Sequence, residues 1–182
     1  MRYLIVCGGK TDKEFGLNEI KTDGIDAIIA ADSGMDFLYE NGVTPDIIVG
    51  DFDSATTKAL EFFERKGQTE IHRLNPIKDD TDTEYAIRLA IREGARSIVM
   101  LGATGSRIDH VLGNISLLGI GLESGTDISI IDTNNRIRMS DKPVTIEKSA
   151  QYGRFVSLIA VTDDNEAVSY THLRAHETLR HL

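Results

Sequence analysis

Short β-branched runs alternate with amphipathic stretches along most of this chain, and that alternation limits the possible folds more than any other feature. Tyr3-Leu4-Ile5-Val6-Cys7, Ala27-Ile28-Ile29-Ala30, Ile47-Ile48-Val49, Ile71-His72-Arg73-Leu74 and Ile98-Val99-Met100-Leu101 read as strands. All but the fourth are almost wholly apolar, as expected of strands covered on both faces, which favours βαβ units around a parallel sheet over a sandwich. Between them, helices are expected over Met35–Asn41, Thr56–Lys66 and Asp82–Glu93. Each is followed by a glycine (Gly42, Gly67 or Gly94) where a left-handed residue can end it. The third is the best specified: Thr81 and Glu84 have capping-box spacing, Asp82 adds negative charge to the first turn, and Ala86, Leu89 and Ala90 form an apolar stripe. A fourth helix is expected from about Ile108 to Leu118.

The pattern changes after Ser124-Gly125. Asp127–Ile131, Val144–Glu147 and Phe155–Val161 read as strands separated by turn-rich segments. The expected fold class is therefore α/β: a Rossmann-like parallel-sheet domain over residues 1–124, then a small, incomplete all-β domain over residues 125–164. Residues 165–182 have no strand period and carry three of the five histidines. Their stretch from Val168 to Thr178 resembles translated adapter or vector sequence, so this tail is expected to be non-native or disordered and its histidines accidental.

Composition narrows the class of partner. The 182 residues carry 20 Lys+Arg against 29 Asp+Glu, a net charge of −9, which argues against a broad face for nucleic acid or an anionic membrane. The single cysteine, Cys7, cannot form an internal disulfide, and no apolar run has the length of a signal core or a membrane span. A cytoplasmic protein is expected. In its apolar strand, with no neighbouring cation, Cys7 reads as packing rather than as a nucleophile.

The excess acid is concentrated where strands end. Gly8-Gly9, Asp32-Ser33-Gly34, Gly50-Asp51-Phe52-Asp53-Ser54, Lys78-Asp79-Asp80-Thr81-Asp82 and Gly102-Ala103-Thr104-Gly105-Ser106-Arg107-Ile108-Asp109 all fall at the carboxyl edge of the expected sheet, the usual place for a ligand crevice. Gathering Asp32, Asp51, Asp53, Asp79 and Asp82 there is repulsive unless a cation is shared. Hard oxygen ligands suit Mg²⁺, which completes its shell with water and substrate phosphates, so a Mg-nucleotide is the economical inference. Each piece also has a plainer explanation. Asp79 and Asp82 can serve only to cap a helix, and Arg107 can hold phosphate bidentately or merely pair with Asp109. The turn from Gly102 to Gly105 lacks the Lys-Ser/Thr ending of a P-loop, and His110 reads as structural.

The order and spacing of four motifs closely resemble the bacterial type of the thiamine pyrophosphokinase family. They are Ala31-Asp32-Ser33-Gly34, Pro45 through Ser54 with its Gly50-Asp51-Phe52-Asp53 core, Lys78 to Asp82, and Gly102 to His110. The resemblance spans Met1 to about Val161. It implies an α/β domain joined to a β domain that binds thiamine, in a homodimer with sites between subunits. The implied reaction transfers the pyrophosphoryl group of ATP to thiamine with Mg²⁺, giving thiamine diphosphate and AMP. It implies Asp51, Asp53 and Asp82 as metal and catalytic carboxylates, and Asp32, Asp79, Arg107 and Asp109 as nucleotide or substrate positions beside Gly102, Thr104 and Gly105. Two other readings share these aspartates: a Mg-nucleotide-binding module without turnover, and a nucleotide-sugar transferase using Asp51-Phe52-Asp53. The latter leaves the Lys78–Asp82 cluster and Arg107 unexplained.

Overall fold

A computed structural model of the chain describes residues 1–52, 57–75, 80–105 and 107–161. Six parallel strands and one antiparallel edge strand form a single sheet in unit Met1–Val144. In chain order the elements are β1 (Arg2–Val6), α1 (Lys13–Ile20), β2 (Ala27–Ala31), α2 (Gly34–Glu40), β3 (Ile47–Gly50), α3 (Thr57–Lys66), β4 (Glu70–Arg73), α4 (Asp82–Arg92), β5 (Ser97–Leu101), α5 (Ile108–Ser124), β6 (Asp127–Ile131) and β7 (Arg136–Arg138). The spatial order is β4-β3-β2-β1-β5-β6-β7. The chain therefore steps outward from β1 on one side and restarts at β5 on the other, which opens a crevice beyond the carboxyl ends of β1 and β5.

Strand residues alternate between two apolar layers, as the period of an extended chain requires. Ile5, Ile29, Ile98 and Met100 share one layer with Ala86, Ile87 and Ala90 of α4 and Leu118 of α5. Leu4, Val6, Ile48, Val99 and Leu101 share the other with Met35 and Leu38 of α2 and Phe63 of α3. Both faces are covered, which is why these strands read as unbroken apolar runs. Helix α4 begins as anticipated, with Thr81 Oγ1 accepting the Glu84 N–H at 3.1 Å. The reciprocal half of the capping box is not made, because the Glu84 carboxylate takes Arg88 instead, at 2.7 and 2.9 Å.

The structure corrects several expectations. Asp127–Ile131 does not open a separate β layer: it pairs parallel with β5 as the sixth strand, and the polar β7 adds to it. The all-β arrangement expected further on is not seen among the described residues, since Val144–Glu147 and Phe155–Val161 hold no strand. A β-branched run becomes a strand only by pairing its backbone, and Phe155, Ile159 and Val161 are exposed rather than packed. What is described of unit Thr145–Leu182 contains one 3₁₀ turn, Lys148–Ala150. Helix α1 was not anticipated. Asp12 caps it by accepting the Phe15 N–H at 2.9 Å, and a glycine at its centre, Gly16, obscures its pattern. Helix α5 runs on past Leu118 to Ser124, ending at Gly125 with φ 72°. The tail, residues 165–182, lies outside the described residues.

Candidate functional site

The carboxyl edge is built in two halves. In the acidic half, Asp32 follows β2, Asp51 follows β3, and Asp82 is the first residue of α4. All three are half-buried, and one carboxylate oxygen from each lies within 4.8 Å of the others. Backbone geometry brings them together. Asp32 has φ 49°, and its N–H donates to Val49 O at 2.8 Å, which ties the end of β2 to β3. Phe52, the residue after Asp51, has φ 65°. Left-handed backbone is tolerable for the short polar Asp and uncommon for a bulky aromatic, and such positions concentrate at functional sites.

The other half is assembled from backbone. The Cys7 N–H donates to Leu101 O at 2.8 Å, and the Gly9 N–H donates to Gly102 O at 2.9 Å. A Cβ added at Gly9 would stand 2.2 Å from Gly102 O, and one at Gly102, where φ is 64°, would stand 2.5 Å from Cys7 O. Only glycine lets the loops after β1 and β5 approach this closely. The second loop is anchored from behind: Asn114 of α5 donates to Ala103 O at 2.8 Å, and Thr104 Oγ1 donates to Asp132 Oδ2 at 2.9 Å. Burial pushes the Asp132 carboxyl up, but donors from Asn134, Asn135 and Thr104 outweigh it and hold the group below the ordinary carboxylate range.

Not every candidate gathers here. Asp53 and Asp79, together with Lys78, lie outside the described residues. Asp32 stands with Asp51 and Asp82, as the crowding of acids at strand ends suggests, although the family resemblance implies a nucleotide or substrate position for it. Gly105 is exposed, and Arg107 pairs with Asp109 at 2.5 Å, the local ion pair that the sequence had left as one of two readings. Hydrogen bonding to Arg107 lowers the Asp109 carboxyl and, reciprocally, raises the guanidinium. Both side chains are about two-thirds open to solvent, at 65% and 63%, so the guanidinium is accessible to an anion at the crevice mouth. His110 and Asp80 are exposed. Cys7 is fully buried, with its thiol pushed up to about 12 by desolvation against a smaller opposing effect of Thr83, as suits a packing residue. Asn114 and Asp132 escaped notice in the sequence because they lie outside its motifs and act by holding the loop from Gly102 to Gly105.

Three convergent carboxylates fit a hard divalent cation: all donors are oxygen, and their mutual repulsion is relieved by a shared positive charge. The family model for the thiamin pyrophosphokinase catalytic domain matches residues 21–130 of the chain. The chain belongs to this family. The matched span holds the acidic half and the loop from Gly102 to Asp109. Among relatives, the thiamine pyrophosphokinase of Bacillus subtilis is 34% identical over 144 residues, covering 79% of this chain and 66% of that protein. The crystal structure of thiamine pyrophosphokinase from Bacillus subtilis superposes with a TM-score of 0.65 at 32% identity, covering 76% of this chain and 64% of that one. That of Geobacillus thermodenitrificans thiamin pyrophosphokinase gives 0.62 at 30% identity, covering 75% and 61%. The chain thus spans just under two thirds of the length of these thiamin pyrophosphokinases.

Proposed function

We propose that this protein is a thiamine diphosphokinase, which transfers the β,γ-pyrophosphoryl group of ATP to the hydroxyl oxygen of thiamine and releases AMP. The observation that carries the proposal is the meeting of the Asp32, Asp51 and Asp82 carboxylates within 4.8 Å at the carboxyl edge of a sheet of this family. Asp51 and Asp82, with Asp53 from the adjoining motif and Asp32 beside them, would hold Mg²⁺. When bound, the ion supplies charge neutralisation to phosphate oxygens.

The chain's own groups do the rest by placement. The thiamine oxygen attacks the β-phosphorus, the bond from that phosphorus to the α-bridging oxygen breaks, and the hydroxyl proton passes to a carboxylate of the acidic half. Close backbone packing at Gly9 and Gly102 fixes the loops after β1 and β5 against each other, and Arg107 exchanges Asp109 for phosphate oxygen. Such chemistry depends on in-line positioning and fixed charge rather than on a covalent nucleophile, in keeping with a buried, protonated Cys7.

A binding module without turnover is not favoured by the family match. Thiamine-dependent formation of AMP from Mg-ATP tests the reading; release of ADP, or AMP formation indifferent to thiamine, rejects it. The proposal includes a homodimer, to be checked by sedimentation equilibrium, and a cytoplasmic location. No helix among the described residues is long and apolar enough to cross a membrane.

A further inference from the structure

Asp32 and Phe52 are the non-glycine residues with positive φ among the described residues, and both adjoin the carboxylate group. Asp commonly tolerates that conformation, but an aromatic residue does so only when its surroundings hold it there. At Phe52 the holding contacts are visible. Its half-buried ring packs onto the layer that contains Leu4, Val6, Ile48 and Phe63. The ring lies over Gly50: a Cβ at Gly50 would meet Phe52 Cε1 at 3.1 Å and Cδ1 at 3.2 Å, with the Asp32 α-carbon also at 3.2 Å. The Arg73 guanidinium sits over the ring, 5.4 Å from its centroid. Arg73 is in register with Gly50 across β3 and β4, and donates in turn to Glu64 of α3.

We propose that Phe52 is a positioning residue for the carboxylate group. Its ring, set over Gly50 and beneath Arg73, locks the backbone after Asp51 in the left-handed conformation, so that the Asp51 carboxylate stands beside Asp32 and Asp82 before any cation arrives. The proposal rests on the metal reading given above. Its logic is that of a supporting shell: carboxylates that repel one another drift apart unless something pays for keeping them together, and preorganising them raises affinity for the cation. Without the ring, the backbone relaxes to negative φ and Asp51 turns away from its neighbours.

The test is Mn²⁺ binding to the purified full chain, read from the electron paramagnetic resonance signal of free Mn²⁺ well below the melting temperature of each variant. Phe52→Ala is expected to weaken Mn²⁺ affinity by about 10- to 100-fold, the usual cost of removing a supporting group, while Phe52→Tyr, which keeps the ring, stays close to the unaltered protein. Phe52→Leu, which keeps apolar bulk but loses the ring's contact with Gly50 and Arg73, is expected to weaken binding by roughly tenfold; it carries the test should Phe52→Ala not fold. A ring that merely fills the core lowers the melting temperature and leaves Mn²⁺ affinity alone. Affinity unchanged in folded Phe52→Ala or Phe52→Leu, alongside loss of binding in Asp51→Asn, would overturn the positioning role and leave the proposed metal site standing. Mn²⁺ binding that Asp51→Asn does not disturb would overturn both.

Discussion

The two halves of the carboxyl edge are held together by opposite means. In the acidic half, side chains of like charge converge, and two non-glycine residues accept left-handed backbone to bring them there. In the glycine half, main chain meets main chain through N–H and C=O groups where glycine leaves no side chain between them. On the proposed reading, the first arrangement gives up stability for a cation site, whereas the second holds two loops together. Substitutions in the two halves should therefore separate activity from folding, in opposite directions.

The largest effect is expected in the glycine half. Gly9→Ala sets a Cβ 2.2 Å from a backbone oxygen that has no free rotamer to escape into. Chemical denaturation should show a loss of about 3 kcal/mol, as for severe overpacking. A loss confined to activity would mean that the loops are looser than the hydrogen bonds indicate. Next, Asp51→Asn should lower AMP formation by about a hundredfold or more, since on the proposed reading it removes a charged oxygen from the cation's shell. Its melting temperature in chelator should hold or rise, because one of three crowded charges is gone; a clear fall would show that the acidic half is itself stabilising.

How much of this was legible in the sequence differs between the halves in the same way. Strand ends rich in Asp and Gly point to the edge, and the spacing of Asp51 and Asp82 marks them as candidates before any fold is known. Phe52 carries no such mark, because left-handed backbone at an aromatic residue is a consequence of packing rather than of local preference. Asp132 and Asn114 were missed because they lie outside the motifs and reach the loop after β5 only through the fold. Strands β1, β2, β3 and β5 announce themselves by apolar runs, and α4 by its Thr81 cap. Asp127–Ile131 has the same composition, but no local signal says which sheet a strand joins, so its place beside β5 was misread. Conversely, Val144–Glu147 and Phe155–Val161 have strand composition and no strand, since pairing is a tertiary property.

Two smaller predictions sharpen the contrast. Asp132→Asn should cost about 1 kcal/mol near neutral pH, the worth of a charge-assisted hydrogen bond partly retained by the amide. The sign follows from the lowered Asp132 pKa. Stability from this group is fully present above the unfolded value of about 3.9 and is lost as pH falls through the lower folded value. The deficit of Asp132→Asn should therefore shrink in acid, and a deficit constant with pH would remove the carboxylate from the account. The smallest change is expected of Asp80→Asn. Asp80 is exposed beside the acidic half, so stability should move by less than about 0.5 kcal/mol and activity should stay near the unaltered level.

The central claim is that Asp32, Asp51 and Asp82 form a cation site. Anomalous diffraction from crystals soaked in Mn²⁺ with a non-hydrolysable ATP analogue addresses it most directly. The account predicts a Mn²⁺ peak within coordination distance, about 2.2 Å, of carboxylate oxygens from Asp51 and Asp82, with the analogue's phosphates on its open side. A Mn²⁺ peak elsewhere on the sheet edge, or ordered phosphates with no metal among these carboxylates, would contradict it.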